Sequence, residues 1–361
     1  MSPVVLYGLL GRCLLAVPGA LPARVMRGGL SWTALVAAAN DALVTPALHV
    51  ALGGCAAVPE DVRAYLGELH ARNVRRNRRL RQQATELVAV LNRRGITPLL
   101  LKGAAMLFED GNPFTNGRMI ADLDVAVERD QLGDAVAALA ALGYTRLPAA
   151  VAPHGAGDFV CPGQPGAVDL HVELLTAPQL LALETALTWS LVREVDGIRF
   201  RVLDSTDSVL HLLLHDLVQD YGYYDGRLNL RHLYDVATLM RRDVVVDWSS
   251  LRRHLAAFRL DRALDFWLCA IEMLFGVAPP DRLSFRLRTR LLVRWALLQL
   301  RYRPLVRAGQ ILGNLRRSLA WYRLPERDKG LPRVRRVVAY LRTYRARTVS
   351  RVLHVLLYRR S

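Results

Sequence analysis

Between residues 85 and 175 the hydrophobic pattern switches period repeatedly, and this constrains the fold more than any other feature of the chain. Ile96 to Leu101 is a short apolar run suited to a buried strand, and Ala104 to Phe108 follows it as a helical turn or two. Gly111, Asn112, Pro113, Asn116 and Gly117 mark an irregular loop. Ala121 to Val127 then alternates as a strand does, and Leu132, Val136, Leu139 and Ala140 give one face of a helix that Gly143 ends. Phe159 to Cys161 and Ala167 to Leu174 read as a hairpin, joined across Pro162, Gly163, Pro165 and Gly166. The order strand, helix, strand, helix, strand, strand specifies an α+β core: a small mixed β-sheet with flanking helices.

The flanks read as helical. Residues 1–58 alternate short apolar runs with Pro and Gly, which predicts a few short helices. From Glu60 to about Arg94, apolar positions such as Val62, Leu66, Leu69, Leu80, Leu87 and Leu91 recur at helical spacing, and Gly95 supplies a stop. Arg72, Arg75, Arg76, Arg78, Arg79 and Arg81 on this helix read first as its solvated face, with phosphate binding as the alternative. After residue 175 one more strand is expected, Ile198 to Val202, and amphipathic helices follow. The expected organisation is an N-terminal helical region (1–84), the α+β core (85–204), a helical domain over the site (205–280) and an Arg-rich helical tail (281–361).

Charge separates that tail from the rest. The 361 residues carry a net charge of +17, and residues 281–361 hold 22 basic residues against three acidic ones. Arginine interleaved with Leu, Val, Trp and Tyr, as in 291–298 and 351–357, gives amphipathic helices with basic faces, suited to a membrane surface, RNA or a protein partner. A hydrophobic content of 52% excludes a mainly disordered chain. Cys13, Cys55, Cys161 and Cys269 are widely separated, so neither a zinc site nor a disulfide framework is expected and the thiols are read as free and buried. Arg12, Pro18 and Pro22 interrupt the apolar N-terminus, and the uncharged stretch 42–59 contains Pro46, His49, Gly53 and Gly54. Both fall short of a spanning helix, and the expected location is cytoplasmic, peripheral to the membrane if the tail binds one.

Three elements carry candidate chemistry. On a strand, Asp122 and Asp124 project to one side while Leu123 and Val125 face the core. Two carboxylates so placed repel unless a cation lies between them, and Mg²⁺ is the natural partner. Asp169, His171 and Glu173 share a face of the next acidic strand, so Asp169 joins the pair if the two strands are neighbours. Lys102-Gly103 stands at a strand-to-helix turn, where an ammonium and a glycine suit a phosphate; only Lys102 and Lys329 are lysine among 49 basic residues. His211 and His215 lie at i and i+4 on a helix, a spacing that zinc sites use, though packing is the simpler reading. Tyr221, Tyr223 and Tyr224 read more simply as a packed loop than as a base-stacking platform.

The stretches LLLKGAAML (99–107), GRMIADLDVAV (117–127), LGY (142–144), VDLHV (168–172), HLLLHD (211–216) and RHLYDV (231–236) occur in an order that resembles the uncharacterised nucleotidyltransferases of the DNA polymerase β superfamily. The resemblance covers about residues 70–245. It implies an NTP as substrate, Mg²⁺ or Mn²⁺ held by Asp122, Asp124 and Asp169, and a nucleotide-binding set of Lys102, Gly103, Arg118, His171 and His215. Asp169 would help activate the acceptor hydroxyl for attack on the α-phosphorus, expelling pyrophosphate. Lys102-Gly103 departs from the Gly-Ser common in the superfamily, and the spacing from Gly103 to Asp122 is longer than usual; both look like this branch. For Arg118 a phosphate contact and a structural ion pair stay open, and Asp235 and His215 match positions of the branch. The acceptor is left unassigned among small molecules, peptides and glycan precursors. The competing reading is a non-catalytic module that keeps the fold and binds RNA, membrane or protein through its basic tail.

Overall fold

Proline and glycine keep the first elements short. In the computed structural model, which describes residues 2–16, 31–109, 116–148, 155–242, 244–280 and 283–322, they are helices α1 (Pro3–Leu14), α2 (Trp32–Asp41) and α3 (Thr45–Leu52). Ser2 and Ser31 cap α1 and α2 by accepting from the amides of Val5 and Ala34. Helix α4 (Glu60–Arg93) follows as one 34-residue element. The segment with Pro18 and Pro22, the loop 110–115 and the tail from residue 323 lie outside the described residues.

The apolar run at 96–101 pairs over only two residues, β1 (Leu99–Leu100), before the short helix α5 (Lys102–Met106). Strand β2 (Leu123–Ala126), helix α6 (Leu132–Ala141), β3 (Thr145–Arg146), β4 (Gly155–Val160) and β5 (Val168–His171) come next. Helix α7 (Leu183–Trp189) leads to β6 (Leu191–Val195) and β7 (Ile198–Val202). The fold is mixed α/β, with one seven-stranded mixed sheet in the order β3-β4-β5-β2-β1-β7-β6 among the described residues. The pairs β2–β5 and β1–β7 are parallel and the rest antiparallel.

Two strands, β3 and β6, go beyond the sequence reading. Strand β6 is an edge whose Leu191 and Val192 are both exposed, so it shows no alternation to read. Its hairpin with β7 turns at Asp196-Gly197, where φ values of +53° and +74° give the type I′ turn that Asp-Gly favours. In α6 the buried face is Ala135, Ala138 and Leu139, with Val136 and Ala140 turned to solvent, so the expected face is rotated by one position.

Each face of the sheet has its own apolar cluster. Leu100, Leu123, Val125, Val168, Leu170, Ile198 and Phe200 pack beneath α4 and α6. Leu99, Leu101 and Ala126 join the larger helical cluster on the other side. That cluster is built from α1 to α3 together with α8 (Ser205–Leu213), a π-helical turn (Leu214–Gln219), α9 (Gly222–Asp225), α10 (Leu230–Arg241), α11 (Trp248–Ala257), α12 (Asp261–Phe275) and α13 (Leu287–Arg301). Residues 1–313 form one compact unit, and the last described helix is α14 (Arg303–Tyr322). All four cysteines are free, with Cys13, Cys55 and Cys269 buried and Cys161 half-buried. Among the described residues, no helix is long and apolar enough to cross a membrane.

Candidate functional site

The register of the central strands decides which carboxylates meet. Asp124 of β2 lies opposite Asp169 of parallel β5, and Asp169 lies opposite Asp158 of antiparallel β4. Directly opposed residues on neighbouring strands share a face, so three aspartates form a row across the sheet, on the side away from the Leu123 and Val125 cluster. Asp158 was not among the sequence candidates, because strand order cannot be read from a single acidic position. Asp122 precedes β2 in a bend and is exposed. It lies close enough to feel the row: partial desolvation of its carboxylate, then Asp124, raise its pKa above the usual carboxylate value, and Asp169 adds to this.

Lys102 and His171 supply the compensating charge. Lys102 adopts a φ of +47°, an uncommon conformation for a residue with a side chain, and places Nζ 2.8 Å from Asp124 Oδ1. His171, two residues beyond Asp169 on the same strand face, has Nε2 3.1 Å from Asp169 Oδ2 and 3.5 Å from Asp124 Oδ1. Lys102, Asp124 and His171 are largely buried and Asp169 is partly open. Burial alone would raise the Asp124 pKa, but Lys102 and His171 overcome it and hold the carboxyl well below its usual range. Burial would lower His171, but its bonds to Asp124 and Asp169 push its pKa up to about 9, so the ring carries a proton at neutral pH. Lys102 is raised by Asp124 against the same burial penalty. Asp124, Asp169 and His171 each place a potential ligand atom within 4.8 Å of the others, with the two carboxylates able to hold a divalent metal and His171 able to join them only after losing its proton.

Helix α4 positions this row. Its buried Asn73 donates to the carbonyls of Asn116 and Arg118, and Asn77 donates to that of Arg118. Arg76 donates to the carbonyls of Ile120, Ala121 and Pro165, and Arg79 to that of Gly163. Gln83 donates to Gly166 O at 2.7 Å and accepts from Gly166 N at 3.2 Å. These bonds satisfy the loops entering β2 and β5, which otherwise lack ladder partners. Arg76, Arg79 and Arg81 are therefore structural clamps, the last paired with Asp196 and lying over the Phe108 ring. Arg72 and Arg75, which pair with Glu68 at the surface, and the exposed Arg78 fit the solvated face expected of the whole cluster.

Other sequence candidates find different surroundings. The close backbone approach expected at Gly103 is made to the chain itself: a Cβ there would lie 2.9 Å from the Ile120 side chain, two residues before Asp122. Arg118 is an internal ion pair, buried, with its guanidinium 2.8 Å from Asp235 Oδ2 and also donating to Met119 O. This joins the loop before β2 to α10. Glu173, beyond the end of β5, pairs with Arg129 at 3.0 Å.

The helical half faces the row through His211 and His215. Burial, and after it the Lys102 charge, drives His211 down to about 3 and His215 down to about 2. Their rings stand edge to face, 6.2 Å apart, and His211 is buried, so the i, i+4 pair does not chelate. His215 instead has Nδ1 3.4 Å from Asp220 Oδ2. Asp216 is buried and its Oδ1 accepts from His232 Nδ1 at 2.8 Å. Asp216 and His232 fall within the motifs at 211–216 and 231–236, but nothing in the sequence marks them as a pair. Tyr223 packs edge to face with Tyr224 and with Phe266, the packed loop the sequence favours.

Comparison with known proteins gives one match. The family described as "Uncharacterised nucleotidyltransferase" matches residues 28–276, more than half of the chain and all of the row, α4 and the histidine wall. No curated protein and no solved structure matches the chain.

Proposed function

Because this chain belongs to the uncharacterised nucleotidyltransferase family, we propose that it transfers a nucleoside monophosphate from a nucleoside triphosphate to an acceptor hydroxyl, using Mg²⁺ or Mn²⁺ at the aspartate row. The observation that carries the reading is the parallel register setting Asp124 against Asp169, with Lys102 and His171 between and beside them. Asp122, Asp124 and Asp169 would hold the metal. Their chemistry fits it: Asp124 and Asp169 are hard oxygen donors on one face, and Asp122, whose pKa is raised by desolvation and then by Asp124, is a third beside them. Bound there, a divalent ion would neutralise charge on the triphosphate and help align it for in-line displacement.

The chain's own residues do the rest. Lys102 and protonated His171 keep Asp124 ionised inside the protein and offset part of the negative charge that the triphosphate would meet at the row. Asp169, the more open member, takes the acceptor hydroxyl proton as the oxygen attacks the α-phosphorus. The bond between the α-phosphorus and the bridging oxygen breaks, and pyrophosphate leaves. His171, bonded to Asp169, orients that carboxylate. Arg118 acts as a positioning residue through Asp235, and His215 forms part of the wall over the nucleotide. The acceptor is a small molecule, a peptide or a glycan precursor, and the site is expected to work in the cytoplasm.

Thermal unfolding with each NTP, with and without Mg²⁺ or Mn²⁺, tests this. Ligand at 100 times its dissociation constant adds about 2.7 kcal/mol. The expected result is a metal-dependent shift with at least one NTP that is lost in Asp122→Ala and Asp169→Asn. These variants are preferred to changes at Asp124 because neither carboxylate is the buried partner of Lys102. A folded protein that no nucleotide stabilises would reject the reading.

A further inference from the structure

The π-helical turn Leu214–Gln219 gathers a second constellation, outside the aspartate row. His215, Asp216 and Asp220 each offer a ligand atom within 4.8 Å of the others. A π turn adds a residue to the helical repeat, so the neighbours His215 and Asp216 can meet Asp220 in one cluster; such turns recur at functional sites. The decisive feature is Asp216. Its side chain is more than nine-tenths buried, Oδ1 serves His232 and Asn229, and Oδ2 has no hydrogen-bond partner. A buried carboxylate oxygen without a partner carries its full desolvation penalty, and a bound cation removes it. His215 Nδ1 is also buried without a hydrogen-bond partner, 3.4 Å from Asp220 Oδ2. Two donors about 2.1 Å from one tetrahedral ion stand about 3.4 Å apart.

We propose that His215, Asp216 and Asp220 form a site for a divalent transition metal of the Zn²⁺ or Mn²⁺ class, distinct from the metal of the transfer reaction. One imidazole with two carboxylates is a borderline donor set that suits these ions better than Mg²⁺, which prefers oxygen alone. His232, bonded to the ligating Asp216, orients that carboxylate from outside the metal's own shell. A cavity of about 510 Å³ adjoins the site: Asp216 and Asp220 line it, with Arg227, Asn229, Arg231 and Gln299, while His215 Nδ1 and Asp216 Oδ2 are themselves buried. Three protein ligands leave a coordination position for water or a small molecule held in that cavity. The ligand geometry is independent of the transfer reading and stands or falls by itself.

The test is Zn²⁺ titration of the full chain, stripped with EDTA, by calorimetry, beside Asp220→Asn, His215→Gln and Asp169→Asn. Asp220 is largely exposed, so its substitution leaves the fold intact. The expected result is one tight Zn²⁺ site present in both wild type and Asp169→Asn, whatever the row binds besides, with the affinity of that site lowered at least tenfold in Asp220→Asn and His215→Gln. Co²⁺ in place of Zn²⁺ would show tetrahedral absorption bands in the first pair and lose them in the second. Equal affinity in all four proteins, or loss in Asp169→Asn alone, would overturn the site. Failure of the nucleotide shift in a protein that still binds Zn²⁺ this way would reject the transfer reading and leave this one standing.

Discussion

Two histidines in this molecule, one buried and one partly so, sit beside aspartates and reach opposite states. His171 lies between Asp124 and Asp169 on the sheet and is protonated up to about pH 9. His215 has Asp220 nearby at 3.4 Å, but burial and the Lys102 charge hold it neutral down to about pH 2. Burial opposes the charged form in both. The sheet overcomes it because two carboxylates bond the ring directly, whereas the helical turn offers one distant carboxylate and faces a cation. One pocket is charge-compensated from within; the other keeps a neutral nitrogen for something else to use.

The most forceful way to break the comparison is to remove Asp124. Asp124→Ala strands the Lys102 ammonium inside the protein and takes one of the two carboxylates from His171. Breaking a buried pair from one side costs about 3–5 kcal/mol, and urea unfolding at pH 7 should show a loss of that size. A loss below about 1 kcal/mol would mean that water already screens the pair.

Next in size is the pH dependence of the metal-free protein. The His171 pKa is raised, so its stabilisation is fully present below about pH 6.5 and is lost as pH rises through 9, at up to about 1.4 kcal/mol per pH unit. His215 has the opposite sign. Its lowered pKa lets the unfolded chain bind a proton the folded one refuses, so its contribution is lost as pH falls from about 6.5 towards 2. Stability curves should lose the alkaline slope in His171→Gln and part of the acidic slope in His215→Gln. Imidazole ¹⁵N shifts read the same contrast directly: at pH 7.5, His171 doubly protonated and His215 neutral.

A third comparison lies along α4. Arg76 donates to three carbonyls of the loops before β2 and β5, whereas Arg72 pairs only with exposed Glu68. Arg76→Ala should cost about 1.5–3 kcal/mol, the range for hydrogen bonds to a charged group, and Arg72→Ala at most about 0.5 kcal/mol. Nucleotide-induced stabilisation should weaken in Arg76→Ala alone, since it loosens the segment carrying Asp122.

This pair also shows how far the sequence could be read. Six arginines at helical spacing look like one solvated face, and for Arg72 and Arg75 they are. Arg76 and Arg79 depart from it because loop carbonyls distant in sequence come to them, and sequence spacing says nothing about such partners. The central strands were legible from alternation, and the row through Asp124 and Asp169 followed once those strands proved to be neighbours. Asp158 needed the strand order, and Asp216 needed a π turn, which no local pattern announces. Strand β6 hid because both its faces meet solvent, although its Asp-Gly turn was present to be used. At Lys102-Gly103 the structure adds what the sequence does not show: the lysine adopts the left-handed backbone and the glycine makes room for Ile120.

The smallest expected effect sharpens the comparison most. Asp220 is largely exposed and adds little to the fold, so Asp220→Asn should change stability by no more than about 0.5 kcal/mol in metal-free protein. Its own pKa is raised by partial desolvation of the carboxylate and then by Asp216, so removing its charge relieves repulsion as well as deleting a partner for His215. The change should therefore be close to neutral, or slightly stabilising, in chemical denaturation at pH 7 without metal. With saturating Zn²⁺ wild type should gain stability and Asp220→Asn should gain far less, because a ligand that binds only the folded state stabilises in proportion to the logarithm of its occupancy. A large cost without metal would make Asp220 a structural partner of His215, and the helical turn would then resemble the sheet pocket in kind, differing only in charge.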